Sequence, residues 1–192
     1  GVDSELFDEN IEKNINDIIF VGNLLRFNKK RDIEFLINSF KDTRLSKKYN
    51  LKIVGGPENE RMRLCEHIEK NNLENKVKAI GELGRKDTII EIQKSEIGLL
   101  INTSDNLHST HYTSPLKYFE YLYGGLKIVA VDFPAHRNLP FSDNITYFNE
   151  NNLEEFIKSL EKASYKQKIE KDKLKDITLN SRVKRIIEII EM

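Results

Sequence analysis

The chain has 192 residues, enough for one large domain with a buried core. Its 31 Lys and Arg balance 31 Asp and Glu to a formal net charge of +0, so no global field selects nucleic acid or an anionic membrane as partner. The single cysteine, Cys65, rules out an internal disulfide, and no run approaches the ~18 apolar residues of a membrane span.

Gly1-Val2-Asp3-Ser4-Glu5-Leu6-Phe7 is a polar lead-in that closes on two apolar anchors. Asp17 to Val21 reads as a first buried strand, stopped by Gly22. Residues 23–31 form a polar, basic loop that holds Asn23, Arg26, Asn28, Lys29, Lys30 and Arg31. Ile33, Leu36, Ile37 and Phe40 then follow at the i, i+3, i+4, i+7 spacing of one helix face. Leu51 to Val54 is a second strand, ended by Gly55-Gly56-Pro57. A helix from Asn59 to about Asn71 is expected to turn Met62, Cys65 and Ile68 inward, with Cys65 as a small buried hydrophobe and His67 at the surface. Val77 to Ile80 is a third strand, closed by Gly81. Arg85 to Lys94 suits a short helix capped by Asp87 or Thr88.

Ile97 to Ile101 is a fourth strand, apolar on both faces, and a polar loop from Asn102 to Tyr112 follows. Its His108 and His111 are potential metal ligands, but no cysteine or carboxylate completes a zinc set. The most informative stretch runs from Thr113 to Val131. Ser114 is a good N-cap, and Pro115 suits the first helical position, where a missing N–H costs nothing. Leu116, Phe119 and Tyr123 recur at helical spacing and are expected to face the core. Gly124 and Gly125 end the helix, and Leu126 to Val131 is β-branched enough for an interior strand.

A helix start of this kind has a chemistry. Its first N–H groups lack internal partners, and the dipole makes that end positive. Thr113 and Ser114 add hydroxyl donors and Lys117 adds a cation one turn in, so a diphosphate fits there. Glu120 would repel a phosphate. A few ångströms further on, it would accept two hydrogen bonds from a ribose diol.

Beyond the centre, Asp132-Phe133-Pro134-Ala135-His136-Arg137-Asn138-Leu139 reads as a structural turn, and Ile145 to Phe148 as a sixth strand. Leu153, Phe156, Ile157 and Leu160 mark an amphipathic helix. Residues 165–176 are lysine-dense and read as solvated. Val183, Ile186, Ile187 and Ile190 form a last helical stripe, expected to cover the sheet or to dock on another domain. Strand-like runs alternating with helical patterns predict an α/β fold: a single doubly wound, Rossmann-like parallel six-stranded sheet with helices on both faces. Ligands of such sheets bind at the carboxyl ends of the strands. The basic loop, the Gly81 loop and the Thr113 helix start would share that rim. A Gly-x-Gly-x-x-Gly turn after the first strand, a phosphate-loop lysine motif and a Gly-x-Ser-x-Gly elbow are all missing, which argues against dinucleotide oxidoreductases, phosphate-loop ATPases and α/β-hydrolases.

Ser114-Pro115-Leu116-Lys117-Tyr118-Phe119-Glu120-Tyr121, then Gly125, then Ile128-Val129-Ala130, resembles the nucleotide-sugar site of retaining glycosyltransferases with the GT-B fold, in the group 1 (family 4) class. The opening Gly-Val-Asp-x-x-x-Phe resembles the segment after that family's interdomain linker, and Asp132 to Asn138 resembles its Asp-x-Pro-x-x-Arg-Glu turn, with Asn138 in place of the glutamate. The resemblance implies that Glu120 binds the ribose of the donor. The family's other glutamate, eight positions earlier and near the transferred sugar, is here Tyr112, so the two-glutamate motif is incomplete.

The resemblance further implies an arginine after the first strand and a lysine near the next helix as diphosphate ligands. Counting places Asn23 at the first position and Arg31 at the second, with Arg26 as the substitute for Asn23. The loop Gly81 to Gly84 would lie against the nucleobase. The implied donor-binding set is Arg26, Arg31, Thr113, Ser114, Pro115, Leu116, Lys117 and Glu120, with no catalytic residue assigned.

Residues 1–192 would form one donor-binding domain, with an N-terminal acceptor domain outside this chain. Expected partners are a nucleoside-diphosphate sugar and a saccharide or lipid-linked acceptor, without nucleic acid. No cofactor and no metal are expected, and transfer would proceed with retention. The expected location is cytoplasmic, with contact at the inner membrane face through the other domain. The competing readings are a nucleotide-sugar epimerase of the same plan and a non-catalytic flavodoxin-like or receiver-like interaction module with no nucleotide affinity.

Overall fold

Eight strands are present in the computed structural model, which describes residues 1–26, 29–105, 107–112 and 116–191, less the side chains of Arg26, Lys29 and Lys30. In chain order they are β1 (Asn14–Val21), β2 (Leu25–Arg26), β3 (Lys29–Lys30), β4 (Asn50–Val54), β5 (Val77–Gly81), β6 (Ser95–Leu100), β7 (Lys127–Val131) and β8 (Ile145–Phe148). The six longer strands form one parallel sheet in the order β5-β4-β1-β6-β7-β8. The order reverses direction between β1 and β6, which opens a crevice at their carboxyl ends. The Rossmann-like α/β expectation is met. β2 and β3 are a small antiparallel hairpin inside the basic loop, which the polar sequence did not announce.

The helices are α1 (Ile33–Ser39), α2 (Thr43–Ser46), α3 (Glu58–Lys70), α4 (Arg85–Gln93), α5 (Leu116–Tyr123), α6 (Pro134–Arg137), α7 (Leu153–Ser164) and α8 (Leu179–Ile190). Strand residues alternate between two cores, as the pleat requires. Ile18 and Phe20 join the core under α1, α3 and α7, and Ile19 and Val21 join the core under α4 and α5. β6 is buried along its whole length, as expected of an interior strand clad on both faces.

Gly98 in β6 is required by packing. A Cβ there would stand 2.5 Å from the ring of Tyr121, so only a bare backbone lets α5 settle on the sheet. Gly55 plays a similar part at the rim. With φ at +152°, its would-be Cβ would meet the Gly22 carbonyl at 1.9 Å, so the loops after β1 and β4 touch through glycine.

Several helix faces differ from expectation. α5 buries Tyr118, Tyr121 and Leu122 most deeply, while Phe119 and Tyr123 pack half-buried against the same core, as expected, and Leu116 is exposed. Tyrosine bodies are apolar, and their hydroxyls find partners inside: Tyr118 donates to the Pro140 carbonyl and Tyr121 accepts from the Val21 N–H. In α3 the inward positions are Leu64 and Ile68, while Met62 is 54% exposed and Cys65 half-buried. α4 begins at Arg85 after Gly84, and Thr88, instead of capping, donates to the Leu83 carbonyl. The stripe on α8 does not cover the sheet, since no residue of α8 is buried. A 3-10 helix at Lys171–Ile177 precedes it and buries Leu174, in a stretch that reads as solvated.

Candidate functional site

A cavity of about 260 Å³ lies in the crevice between β1 and β6. Its floor is the ends of those two strands, and its walls include Arg31, Asn102, Leu116, Lys117 and His136. Residues remote in sequence meet here because every rim loop follows a parallel strand.

Arg31 arrives by way of the hairpin. Leu25 pairs with Lys30 and Arg26 with Lys29, and the Arg31 N–H donates to the Leu24 carbonyl at 3.0 Å. This folding back returns the chain to the end of β1. The guanidinium lies over the Phe20 ring, 5.8 Å from its centroid, and Nη1 donates to the Ile101 carbonyl at 3.3 Å. Arg31, expected from counting, is therefore a cavity wall. Asn23, at the other counted position, makes a turn instead, its Oδ1 accepting from the Leu25 N–H at 2.9 Å. The Arg26 side chain is outside the described residues.

Thr113, Ser114 and Pro115 also lie outside the described residues, so the expected helix cap does too. The next turn is described. Leu116 stands at the rim and Lys117 faces the cavity. Lys117 Nζ donates to Glu120 Oε2 at 2.9 Å. The Glu120 side chain is only 1% exposed, and Arg85 Nη1 approaches its Oε1 at 3.5 Å. Among the described residues Oε1 accepts no hydrogen bond. A buried carboxylate oxygen without one is unusual. Glu120 is not itself a wall of the cavity; Lys117, its partner, is.

Two contributors were not anticipated in this role. Arg85 opens α4 directly after the Gly81–Gly84 loop. A cation in the first turn opposes the helix dipole, and that was the available signal. His136, placed in a structural turn by the sequence, is fully buried and also walls the cavity. Its Nδ1 lies 2.7 Å from the Val131 carbonyl. A carbonyl only accepts, so Nδ1 carries the proton there. Tyr121, beside Glu120 in sequence, has its phenol held well above the ordinary range by burial, with the Glu120 charge adding to the effect.

Tyr112 is exposed in a π-helical turn, His108–Tyr112, with the rings of His108 and His111 at 6.4 and 6.1 Å. His111 Nδ1 pairs with the Thr110 hydroxyl at 2.6 Å. No cluster of three or more histidine, cysteine or acidic side chains suited to a metal occurs among the described residues.

The family model for glycosyl transferases group 1 matches residues 2–177. The chain belongs to that family. No curated protein matches the sequence. Among solved structures, the glycosyl transferase chain is similar to sucrose-phosphate synthase from Thermosynechococcus elongatus, with TM-score 0.62 and 14% identity over 84% of this chain and 41% of that one. It is similar to HepE of Anabaena, solved with UDP-glucose, with TM-score 0.63 and 15% identity over 86% and 46%. It is similar also to WaaG, a glycosyltransferase of lipopolysaccharide biosynthesis, with TM-score 0.55 and 16% identity over 81% and 40%. The chain thus spans less than half the length of these structures. At such identities the likeness concerns the fold; Lys117 and Glu120 both lie on α5.

Proposed function

We propose that this domain binds a nucleoside-diphosphate sugar and presents it for glycosyl transfer to a saccharide or lipid-linked acceptor held on a second, N-terminal domain. One observation carries the reading: Arg31 and Lys117 wall the same cavity at the β1/β6 crevice, and one turn later follows a buried carboxylate, one oxygen of which accepts no hydrogen bond among the described residues. Diphosphate oxygens go to Lys117 and Arg31, aided by Arg26, Thr113, Ser114 and the helix start, with Pro115 and Leu116 shaping it. Ribose hydroxyls go to Glu120, and the Gly81–Gly84 loop faces the base.

As the sugar–phosphate bond breaks, charge grows on the diphosphate, and preorganised donors stabilise it. In this reading those cations serve without a divalent metal and the product retains its anomeric configuration. The setting is cytoplasmic polysaccharide assembly, at the inner membrane face through the second domain. Among the described residues no helix is long and apolar enough to cross a membrane.

Because HepE has been solved with UDP-glucose, UDP is the first nucleotide to try. A melting curve with UDP, GDP and ADP tests donor binding. At about 100 times Kd, binding adds roughly 2.7 kcal/mol, or about 5–10 °C for a domain this size. One nucleotide should raise the melting temperature, insensitive to EDTA, and Glu120→Ala and Lys117→Ala should abolish the rise. No rise with any nucleotide would favour an interaction module instead. Radiolabelled nucleotide sugar with the full-length protein separates transfer from epimerisation.

A further inference from the structure

Glu120 faces two cations that differ in kind. Lys117 makes a 2.9 Å hydrogen bond to Oε2 and also walls the cavity. Arg85 stands 3.5 Å from Oε1 without hydrogen bonding to it, and it is 48% exposed at the head of α4. A diphosphate in the cavity would compete for Lys117. If Lys117 turned toward it and nothing else stood by, Glu120 would remain as a buried, uncompensated charge, an expensive arrangement.

We propose that Arg85 is a positioning residue, the standing counter-ion that keeps Glu120 balanced and oriented toward the ribose diol while Lys117 serves the diphosphate. The inference rests on the donor-binding reading above. Three features argue for it. Arg85 belongs to the loop–helix junction after β5, on the expected nucleobase side, and is not a wall of the diphosphate cavity. Its place in the first turn of α4 is electrostatically unfavourable and is offset by the Glu120 charge. The guanidinium is a planar fork with five donors, so one edge can hold Oε1 while the rest faces solvent or ligand. The two cations thus divide the work: Lys117 is exchangeable and Arg85 is resident.

The test compares the wild type with Arg85→Gln and Arg85→Lys by calorimetric titration. The probes are UDP (or GDP or ADP, whichever raises the melting temperature), its 2′,3′-dideoxy analogue, and pyrophosphate. Arg85→Gln should weaken the ribonucleotide about tenfold while leaving the dideoxy analogue and pyrophosphate within about twofold. Arg85→Lys should recover most of the loss, and both variants should melt within about 2 °C of wild type, as expected for a half-exposed side chain. Equal weakening of all three probes, or an unchanged ribonucleotide affinity, would overturn the proposal. A wild type that binds no nucleotide would overturn the donor-binding reading itself, whereas intact ribose preference in Arg85→Gln would refute the role of Arg85 alone.

Discussion

The Tyr121 hydroxyl accepts a hydrogen bond from the Val21 N–H at 2.9 Å, joining the middle of α5 to the last residue of β1. α5 carries Lys117 and Glu120, and β1 floors the cavity. This bond therefore sets the height of the candidate binding groups above the strand end. Tyr121→Phe removes the acceptor and leaves a buried N–H unpaired, which should cost about 1–3 kcal/mol. Urea unfolding should show the loss, accompanied by weaker nucleotide binding.

Gly98→Ala tests the same junction from below. The added Cβ would stand 2.5 Å from the Tyr121 ring, and overpacking of this kind costs about 1–3 kcal/mol. The variant should melt several degrees lower. An unchanged melting temperature would show that α5 can ride outward freely.

Lys13 anchors the other end of α5. Its Nζ donates to the Gly124 carbonyl at 2.8 Å and to the Ser95 carbonyl at 3.1 Å. Burial, with Lys168 nearby, lowers its pKa from 10.5 to about 8. Between those two values the unfolded chain binds the extra proton, so this residue's contribution to stability rises with pH across that window and is lowest below about 8. Lys13→Met should remove that increment. Unfolding of both proteins at pH 7.5 and 9.5 should show the wild type gaining on the variant at the higher pH.

Arg31 differs from Arg85 in where it stands. It walls the β1/β6 cavity, so on the proposed reading Arg31→Gln should weaken the nucleotide and pyrophosphate alike, about tenfold, without altering ribose preference. The salt dependence of binding should also flatten, because one phosphate-facing cation is gone. Titrations at two ionic strengths give both readings.

The strands were legible in the sequence because β-branched apolar runs such as Ile18 to Val21 and Ile128 to Val131 have few other uses. Counting back from Phe40 finds Arg31, a wall of the cavity, whereas counting forward from Gly22 points to Asn23, which makes a turn instead. The inward face of α5 was legible only in part: Phe119 and Tyr123 pack against the core as their spacing implies, but Leu116 is exposed, and Tyr118 and Tyr121 are the fully buried residues, their hydroxyls meeting the Pro140 carbonyl and the Val21 N–H. Arg85 was hidden for a different reason. Its partner Glu120 lies 35 positions away in sequence, and a lone cation at a helix start reads as solvated. His136 looked like part of a turn, and only the tertiary fold turns it into a wall of the cavity.

The α8 stripe illustrates a further limit. Its period of Val183, Ile186, Ile187 and Ile190 is clear in the sequence, but these residues are exposed in this chain. Periodicity reports that a face is apolar without reporting what covers it.

The most direct measurement of the central claim is a crystal structure of this domain grown with the nucleoside diphosphate that raises its melting temperature. The account predicts the diphosphate in the β1/β6 crevice against Lys117 and Arg31, with the ribose hydroxyls within hydrogen-bonding distance of Glu120 and Arg85 still paired to it. A nucleotide seated elsewhere, or a ribose turned away from Glu120, would contradict it.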